Sequence, residues 1–441
     1  MAKKILILSA SPIRDKYIDE LLAHYLIRGM GNEIWVKSSP DEGQQAVIDI
    51  QPDVVVVPPV RNVYGRDFVE NLKRWGMGVI VRHTEPSCDK KDWDKMSNME
   101  RNQILGLFPY VADLEIVWGE FEAEILNNRK RFPTKAVGSF SVALYKNDIL
   151  PRISREQFNA KWGFDNSKKN LIIGSAWGFV DSAPDKYIDS TEVAQRDKEG
   201  RGQWLETIKT INLALGKKWN ILVTFHPHVL VEPYKEILEP LGMKLDSKSP
   251  AFDLLTNADA LVHAGSTMGV AMHILNKPAY QYGDQNVKEG GWWLTSEVAL
   301  SKVSPKAGSV SELIEMIMMW EDKSNANLEA IKELEDEGRG RYGLMDGKAI
   351  ERAAELINTI EGKFKLNWPK PWRDYSQITL LRDANEIITG INCGICGFSF
   401  ARVNDSWLEK LQNFLGLTKP IKPSFDESCP VCGYRLVIGR R

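Results

Sequence analysis

Short apolar runs alternate with amphipathic segments along the first part of the chain, and this alternation constrains the fold more than any other feature. Residues 54–57 are four consecutive valines, as expected for a parallel strand that is covered on both faces. Residues 17–27 and 121–128 have the apolar spacing of amphipathic helices. Alternating strands and helices predict a doubly wound parallel α/β sheet. Its strands are predicted at residues 4–8, 33–36, 53–57, 78–81, 114–118 and 135–137.

The alternation pauses between about residues 139 and 168 and then starts again. The chain has 441 residues, enough for two large domains and a small third one. Two Rossmann-like halves joined by a linker predict a ligand cleft between them. The second half is predicted to have strands at 170–173, 220–225, 243–245, 258–263 and 279–282, helices at 204–215, 232–241 and 268–275, and a helical end from 309 to about 360.

Two C-x-x-C pairs form the most specific motif of the sequence. A glycine follows each pair, which gives the tight turns that let four thiolates surround one Zn²⁺ ion. The 32 residues between the pairs exceed the usual spacing of about 15–20, so we expect a helical insert near 407–415. Four protein ligands indicate a structural site, and redox pairs or disulfides are the alternatives. The predicted zinc ligands are Cys393, Cys396, Cys429 and Cys432.

These cysteines belong to a tail with its own composition. Residues 363–441 carry twelve Lys and Arg against seven Asp and Glu, a net charge of +5, whereas the whole chain has a net charge of −2. A stiff Pro/Trp segment at 367–372 precedes the first cysteine. We therefore predict a linker and a small zinc-ribbon module in residues 363–441, with DNA as a partner that its basic charge would allow.

Polar residues follow two predicted strands of the second half, where ligands of open α/β sheets bind. His226 and His228 follow one strand, and they could bind a phosphate, chelate a metal or cap a loop. Gly265, Ser266 and Thr267 follow the next strand and would suit a phosphate, although an ordinary strand-to-helix turn has the same composition.

In the first half, Glu85 closes the fourth predicted strand. A carboxylate there could act as a general base toward an acceptor hydroxyl, and a surface glutamate is the more common alternative. The run Gly338–Gly343 fits the pattern G-x-G-x-x-G, but no strand precedes it, which excludes the dinucleotide interpretation.

Four segments resemble, in the same order, motifs of the bacterial surface carbohydrate biosynthesis proteins. The resemblance extends over roughly residues 1–362. The same layout is shared more distantly with capsule sugar transferases and polyol-phosphate transferases of the GT-B fold. The sequence departs from the family at Thr224, where the family has Arg, and at Val270, where it usually has Glu. The four segments are 112–123 with its D-x-x-x-x-W-G pattern, His226-Pro227, 258–283 with its S-T-x-G and K-P elements, and the D-G-K-A run at 346–349.

The resemblance implies a GT-B glycosyltransferase with an acceptor domain at 1–145 and a nucleotide-sugar domain at 146–362. By position, His226 would contact the donor phosphates and Ser266 and Thr267 would cradle them, while Glu85 would be the acceptor base. GT-B folds usually need no catalytic metal, so only the structural Zn²⁺ and a nucleotide-sugar donor are expected.

The leading functional hypothesis is transfer of a sugar from a nucleotide-sugar donor to a surface-polysaccharide acceptor. The alternatives are a phage-type glycosyltransferase acting on hydroxymethylated DNA bases, a non-catalytic GT-B-like binding protein and an epimerase of the same fold. The apolar run at residues 5–8 is too short for a signal peptide, and no run approaches the roughly 20 residues of a membrane span. We therefore expect a cytoplasmic protein, with a peripheral position at the inner membrane surface left open.

Overall fold

The computed structural model describes residues 2–11, 13–60, 63–85, 90–95, 111–129, 132–174, 192–225, 231–263, 266–282, 304–319, 339–340, 342–365, 378–382, 388–393 and 399–400. The first half of the chain forms a six-stranded parallel sheet of order β2-β1-β3-β4-β5-β6. Its strands are β1 Lys4–Ser9, β2 Glu33–Ser38, β3 Val54–Val57, β4 Gly78–Arg82, β5 Leu114–Val117 and β6 Thr134–Ala136. Its helices are α1 Lys16–Met30, α2 Ser39–Ile50, α3 Val63–Arg74, α4 Lys90–Lys95, α5 Glu120–Arg129 and α6 Phe140–Lys146.

The second half forms a five-stranded parallel sheet of order β11-β10-β7-β8-β9. Its strands are β7 Lys169–Gly174, β8 Trp219–Thr224, β9 Lys244–Asp246, β10 Ala260–His263 and β11 Ala279–Gln281. The remaining helices are α7 Arg155–Trp162, α8 Glu192–Leu215, α9 Glu232–Leu238, α10 Ala251–Asn257, α11 Met268–Ile274, α12 Val310–Met318 and α13 Ala349–Thr359. A short antiparallel sheet follows, with β12 Ile378–Arg382, β13 Ile388–Cys393 and β14 Ser399–Phe400.

The predicted α/β architecture with two parallel sheets is confirmed. All residues of β3, β4, β5, β8, β10 and β11 are buried, because helices cover both faces of each sheet, and this burial explains their uninterrupted apolar runs. The pause that we predicted at 139–168 contains α6 and α7. Helix α7 escaped detection because its sequence is mostly polar, although Ser154 and Gln157 form a reciprocal capping box at its start.

Helix α13 comes at the end of the second half in sequence, but it packs against α1 and α6 of the first half. The Lys3 ammonium holds the end of α13 and the residue that follows it, donating to the carbonyl oxygens of Asn358 and Ile360 at 2.8 and 2.7 Å. The helical end of the chain therefore contacts the first sheet's domain. The predicted boundaries at 145 and 362 stay predictions.

The starts of two helices connect the halves. Tyr17 lies in the first turn of α1, which follows β1, and its hydroxyl donates to the Asp253 carboxylate at 2.8 Å. Asp253 lies in the first turn of α10, which follows β9. The rings of Tyr17 and Phe252 pack beside this bond with centroids 4.9 Å apart. Because both helices start from the carboxyl ends of strands, this contact brings the carboxyl edges of the two sheets to the same side of the molecule.

Among the described residues, no helix has the combination of length and apolar composition that crossing a bilayer requires.

Candidate active site

Glu85 lies at the carboxyl edge of the first sheet, three residues beyond β4. Its side chain is 52% exposed, and its Oε1 atom accepts a hydrogen bond from Arg14 Nη1 at 2.9 Å. Arg14 belongs to the turn between β1 and α1, and its Nη2 atom also donates to Thr84 Oγ1 at 3.0 Å. The guanidinium therefore ties the turn after β1 to the turn after β4. It holds an accessible carboxylate at the carboxyl edge of the first sheet.

A buried ion network supports this edge from beneath. At the end of β4, Arg82 pairs with Asp19 of α1, and both side chains are almost fully buried. The next residue, His83, lies between two buried glutamates. Its Nε2 atom is 2.9 Å from Glu115 Oε1, and its Nδ1 atom is 2.9 Å from Glu122 Oε1. Both ring nitrogens therefore face carboxylate oxygens, which is the arrangement that suits an imidazolium with two N–H donors.

The charges around His83 decide its protonation. Burial alone lowers the pKa of the imidazole, but the carboxylates of Glu122 and Glu115 outweigh that effect and raise the pKa to about 9. His83 is therefore positively charged at neutral pH. Its carbonyl oxygen also accepts a hydrogen bond from the Trp118 indole at 3.1 Å, so the turn that carries Glu85 is fixed through both backbone and side chain.

In the second half, Ser266 and Thr267 lie between β10 and α11, three and four residues after the end of β10. Both are half-buried. The Ser266 hydroxyl accepts from the Met268 backbone N–H at 3.2 Å, while its own backbone N–H donates to His263 Nδ1 at 3.0 Å. Since Nδ1 accepts this bond, the neutral His263 ring carries its proton on Nε2. His263 thus fixes the turn that presents the two hydroxyl groups.

Other buried polar side chains lie near His263. An ideal Cβ built on Gly269 would lie 2.6 Å from His263 Nε2 and 2.7 Å from Ser304 Oγ, so both atoms contact the space that this glycine leaves open. His273 lies one turn beyond Gly269 on α11, and Gln281 lies beside His263 in the strand register. In the described part of the chain, His263 Nε2, both His273 ring nitrogens, Gln281 Oε1 and Ser304 Oγ have no hydrogen-bond partner.

Burial keeps this second group of side chains neutral. It lowers the pKa of His263 to about 3, with a further contribution from the neighbouring His273, and lowers the pKa of His273 to about 4. Among the described residues, no carboxylate compensates the loss of hydration here, in contrast to His83. The described side chains behind the Ser266 turn are therefore polar and uncharged at neutral pH.

Several residues of the family-like motifs serve the fold. Three motif aspartates form ion pairs with basic residues of other segments or helices, and Lys277 donates to the carbonyl oxygens of Leu255 and Thr256 at 3.2 and 2.7 Å. Val270 is buried among apolar side chains. The three pairs are Asp113 with Lys73 at 2.7 Å, Asp259 with Arg155 at 2.8 Å, and Asp346 with Arg352 at 2.7 Å.

The structure brings together only part of the predicted site. Ser266 and Thr267 are adjacent after β10, and Glu85 lies at the corresponding edge of the other sheet. Cys393 is the last residue of β13. The other predicted site residues lie outside the described residues; they are His226, His228, Gly265, Cys396, Cys429 and Cys432. The zinc site, and the part of the phosphate site that these residues would form, therefore stay predictions.

Sequence reasoning missed the charged network and the neutral histidine. Arg82 and His83 lie just before Glu85 in the sequence. An arginine and a histidine at the end of a buried strand could have indicated a buried ion network. Their partners Asp19, Glu115 and Glu122 are remote in sequence, and nothing local connected them. His263 was visible as the last residue of an apolar strand, but its role depends on the turn that follows.

Comparisons with known proteins indicate the fold. No family model matches the sequence, and no curated protein matches it at a significant level. A structure of the wall teichoic acid polymerase TagF with CDPG has a TM-score of 0.53 and 15% identity, covering 80% of this chain and 87% of TagF. Another TagF structure has a TM-score of 0.51 and 14% identity, covering 81% and 88%. A putative UDP-N-acetylglucosamine 2-epimerase from Listeria monocytogenes has a TM-score of 0.48 and 11% identity, covering 81% and 96%. The chain thus shares with TagF the GT-B type of α/β fold with two parallel sheets.

Proposed function

We propose that this protein is a glycosyltransferase-type enzyme that transfers a group from a nucleotide-activated donor to a surface-polysaccharide acceptor. The observation that carries the proposal is the contact of Tyr17 with Asp253, which brings the carboxyl edges of both sheets to one side. In open α/β folds, ligands bind at these edges. Two such edges facing one cleft suit a reaction between two substrates, one held by each half.

The donor belongs to the second half in this proposal. Ser266 and Thr267 are half-buried after β10, and the neutral His263 ring holds the backbone of their turn. Hydroxyl groups and histidine side chains donate hydrogen bonds to phosphate oxygens as the leaving group gains negative charge. His226, His228 and Gly265 are the further donor-binding residues that we propose.

The acceptor belongs to the first half. The accessible Glu85 carboxylate would take the proton of the acceptor hydroxyl as that oxygen attacks the donor, and Arg14 would hold the carboxylate in position. The comparison with TagF supports the substrate class. TagF is a wall teichoic acid polymerase, and its structure was obtained with CDPG.

The donor side is tested by calorimetry of the full chain with CDP-, UDP-, GDP- and CMP-activated donors. One class should bind, and Ser266→Ala and His226→Ala should each weaken its binding by about tenfold or more, since each removes a hydrogen bond to a charged group. His24→Ala, on α1, is the matched control and should leave affinity unchanged. Binding that is indifferent to both site variants would remove the site from the second half.

The acceptor side is tested by turnover. Glu85→Gln should lower kcat by about 10²–10⁴-fold, because a general base contributes that much, while donor affinity stays the same. Glu20→Gln changes an exposed carboxylate of α1 and is the control. A Glu85→Gln variant with full kcat would show that Glu85 is not the base.

We also propose that Cys393, Cys396, Cys429 and Cys432 hold one structural Zn²⁺. Metal analysis should find about one zinc per chain, and Cys429→Ser should lower that content without abolishing donor binding. Zinc content far below one per chain would contradict the proposal. A DNA partner gains no support from the described residues or from the comparisons.

A further inference from the structure

Strand β2 is the outer strand of the six-stranded sheet. It pairs with β1 on one side, and no other strand of the described residues pairs with its opposite side. Its residues are only half-buried or exposed, unlike those of the inner strands β3, β4 and β5, which are all buried. An edge strand of this length presents a row of backbone N–H and C=O groups to which another strand can add.

The residues of β2 form a self-complementary series centred on Trp35. If a second β2 ran antiparallel with Trp35 opposite Trp35, Glu33 would face Lys37 at both ends of the pair. Ile34 would face Val36 on both sides of the centre. Directly opposed charges, apolar pairs and aromatic pairs each stabilise antiparallel strands.

The two faces of the edge agree with this register. The pairing with β1 directs Ile34 and Val36 toward the apolar core beneath α1, and it directs Trp35 toward the opposite core. Val36 is 41% exposed, and α1, which packs on β2, exposes Ile27 by 51% and Met30 by 48%. A two-fold axis perpendicular to the sheet keeps like faces together, so the apolar patches of two copies would join along one face.

We propose that β2 is a homodimer interface in which two copies pair antiparallel through this strand and extend both sheets into one. The contact is isologous, because each residue of the series meets its complement in the reversed copy. The charge pattern favours a second copy over an unrelated strand, since Glu33 and Lys37 match only a partner with the same charges in the opposite order. The paired Trp35 rings and the joined Ile27, Met30 and Val36 patches supply the apolar centre.

The oligomeric state of the full chain tests the interface. Sedimentation equilibrium should give twice the chain mass of 50.0 kDa at micromolar concentration. Glu33→Lys and Lys37→Glu should each raise the dimer dissociation constant by about tenfold or more, because each places like charges opposite one another twice per dimer. The double variant, with both charges exchanged, restores opposite pairs and should return the constant to near the wild-type value.

Glu206→Lys, a reversal at an exposed position of α8, is the matched control and should leave the dimer intact. Near-ultraviolet circular dichroism checks that each variant is folded. A wild-type chain that stays monomeric would overturn the proposal. So would a dimer that neither single reversal weakens, or one that the double variant does not restore.

Discussion

Two buried histidines occupy corresponding places in the two halves, yet they carry different charges. His83 follows β4 and lies between the carboxylates of Glu115 and Glu122, which raise its pKa to about 9. His263 ends β10, meets a backbone N–H on one nitrogen, and has a pKa lowered by burial to about 3. Burial is similar at the two sites, so the neighbouring charges decide the protonation state.

This difference suits the two proposed roles. On the acceptor side, a positive histidine balances two buried carboxylates and fixes the turn before Glu85. On the donor side, a neutral histidine holds the Ser266 turn without adding a permanent charge behind it. The first half is therefore held by ion pairs and the second by neutral hydrogen bonds at the equivalent edge.

Removing the charge of His83 should have the largest effect. His83→Leu leaves two buried carboxylates without their cation, which costs about 3–5 kcal/mol in the free energy of unfolding. Chemical denaturation measures the loss. Adding Glu115→Gln and Glu122→Gln removes the stranded charges and should recover much of the stability. A loss below about 1 kcal/mol for His83→Leu would contradict a charged His83.

The contributions of the two histidines to the stability of the protein should be lost at opposite ends of the pH range. The folded pKa of His83 is raised from 6.5 to about 9, so its contribution, about 3 kcal/mol, is full below pH 6.5 and disappears as pH rises to about 9. The folded pKa of His263 is lowered to about 3, so its contribution is full above pH 6.5 and disappears as pH falls toward 3.

The measurement compares wild type with His83→Gln and with His263→Asn by chemical denaturation across the pH range. The stability difference from His83→Gln should shrink between pH 6.5 and 9. The difference from His263→Asn should shrink only below pH 6.5. Two differences that change over the same pH interval would show that the two sites do not differ in charge.

A smaller loss of stability is expected when a methyl group is added beside the neutral His263 in the second half. Gly269→Ala would place a methyl group 2.6 Å from His263 Nε2 and should destabilise the protein by about 1–3 kcal/mol. Thermal denaturation measures the change. Gly202→Ala on α8, where a Cβ would meet nothing within 4 Å, is the control and should be neutral or stabilising. Equal effects at both glycines would contradict the close packing of His263.

The smallest effect is expected at the contact between the halves. Tyr17→Phe removes the hydrogen bond to Asp253 and should cost about 0.5–1.5 kcal/mol, the net contribution of a typical hydrogen bond, because this bond is only partly buried. The ring of residue 17 still packs against Phe252 in this variant, so the loss of stability reports the hydrogen bond alone. If the contact brings the two edges together, donor affinity should stay constant while the KM for the acceptor rises. An unchanged acceptor KM would show that the Tyr17–Asp253 hydrogen bond is not needed to bring the two edges together.

The sequence predicted the parallel sheets because their buried strands are uninterrupted apolar runs, as in Val54–Val57. It did not predict α7, which has few apolar residues, or α6, whose seven residues are too few to show a helical repeat. It placed Ser266 and Thr267 after β10 and Glu85 after β4, since strand ends can be recognised locally. It missed the charge of His83, which depends on Glu115 and Glu122, more than 30 residues away.

The central claim is that the donor binds the second half and the acceptor binds the first. Hydrogen exchange of the full chain with each substrate alone tests this claim most directly. The nucleotide-activated donor should slow exchange in peptides covering residues 260–275, and the saccharide acceptor should slow it in peptides covering 78–85. This pattern would support the assignment of donor and acceptor to opposite edges of the cleft. Donor protection confined to residues 78–85, with 260–275 unaffected, would contradict it.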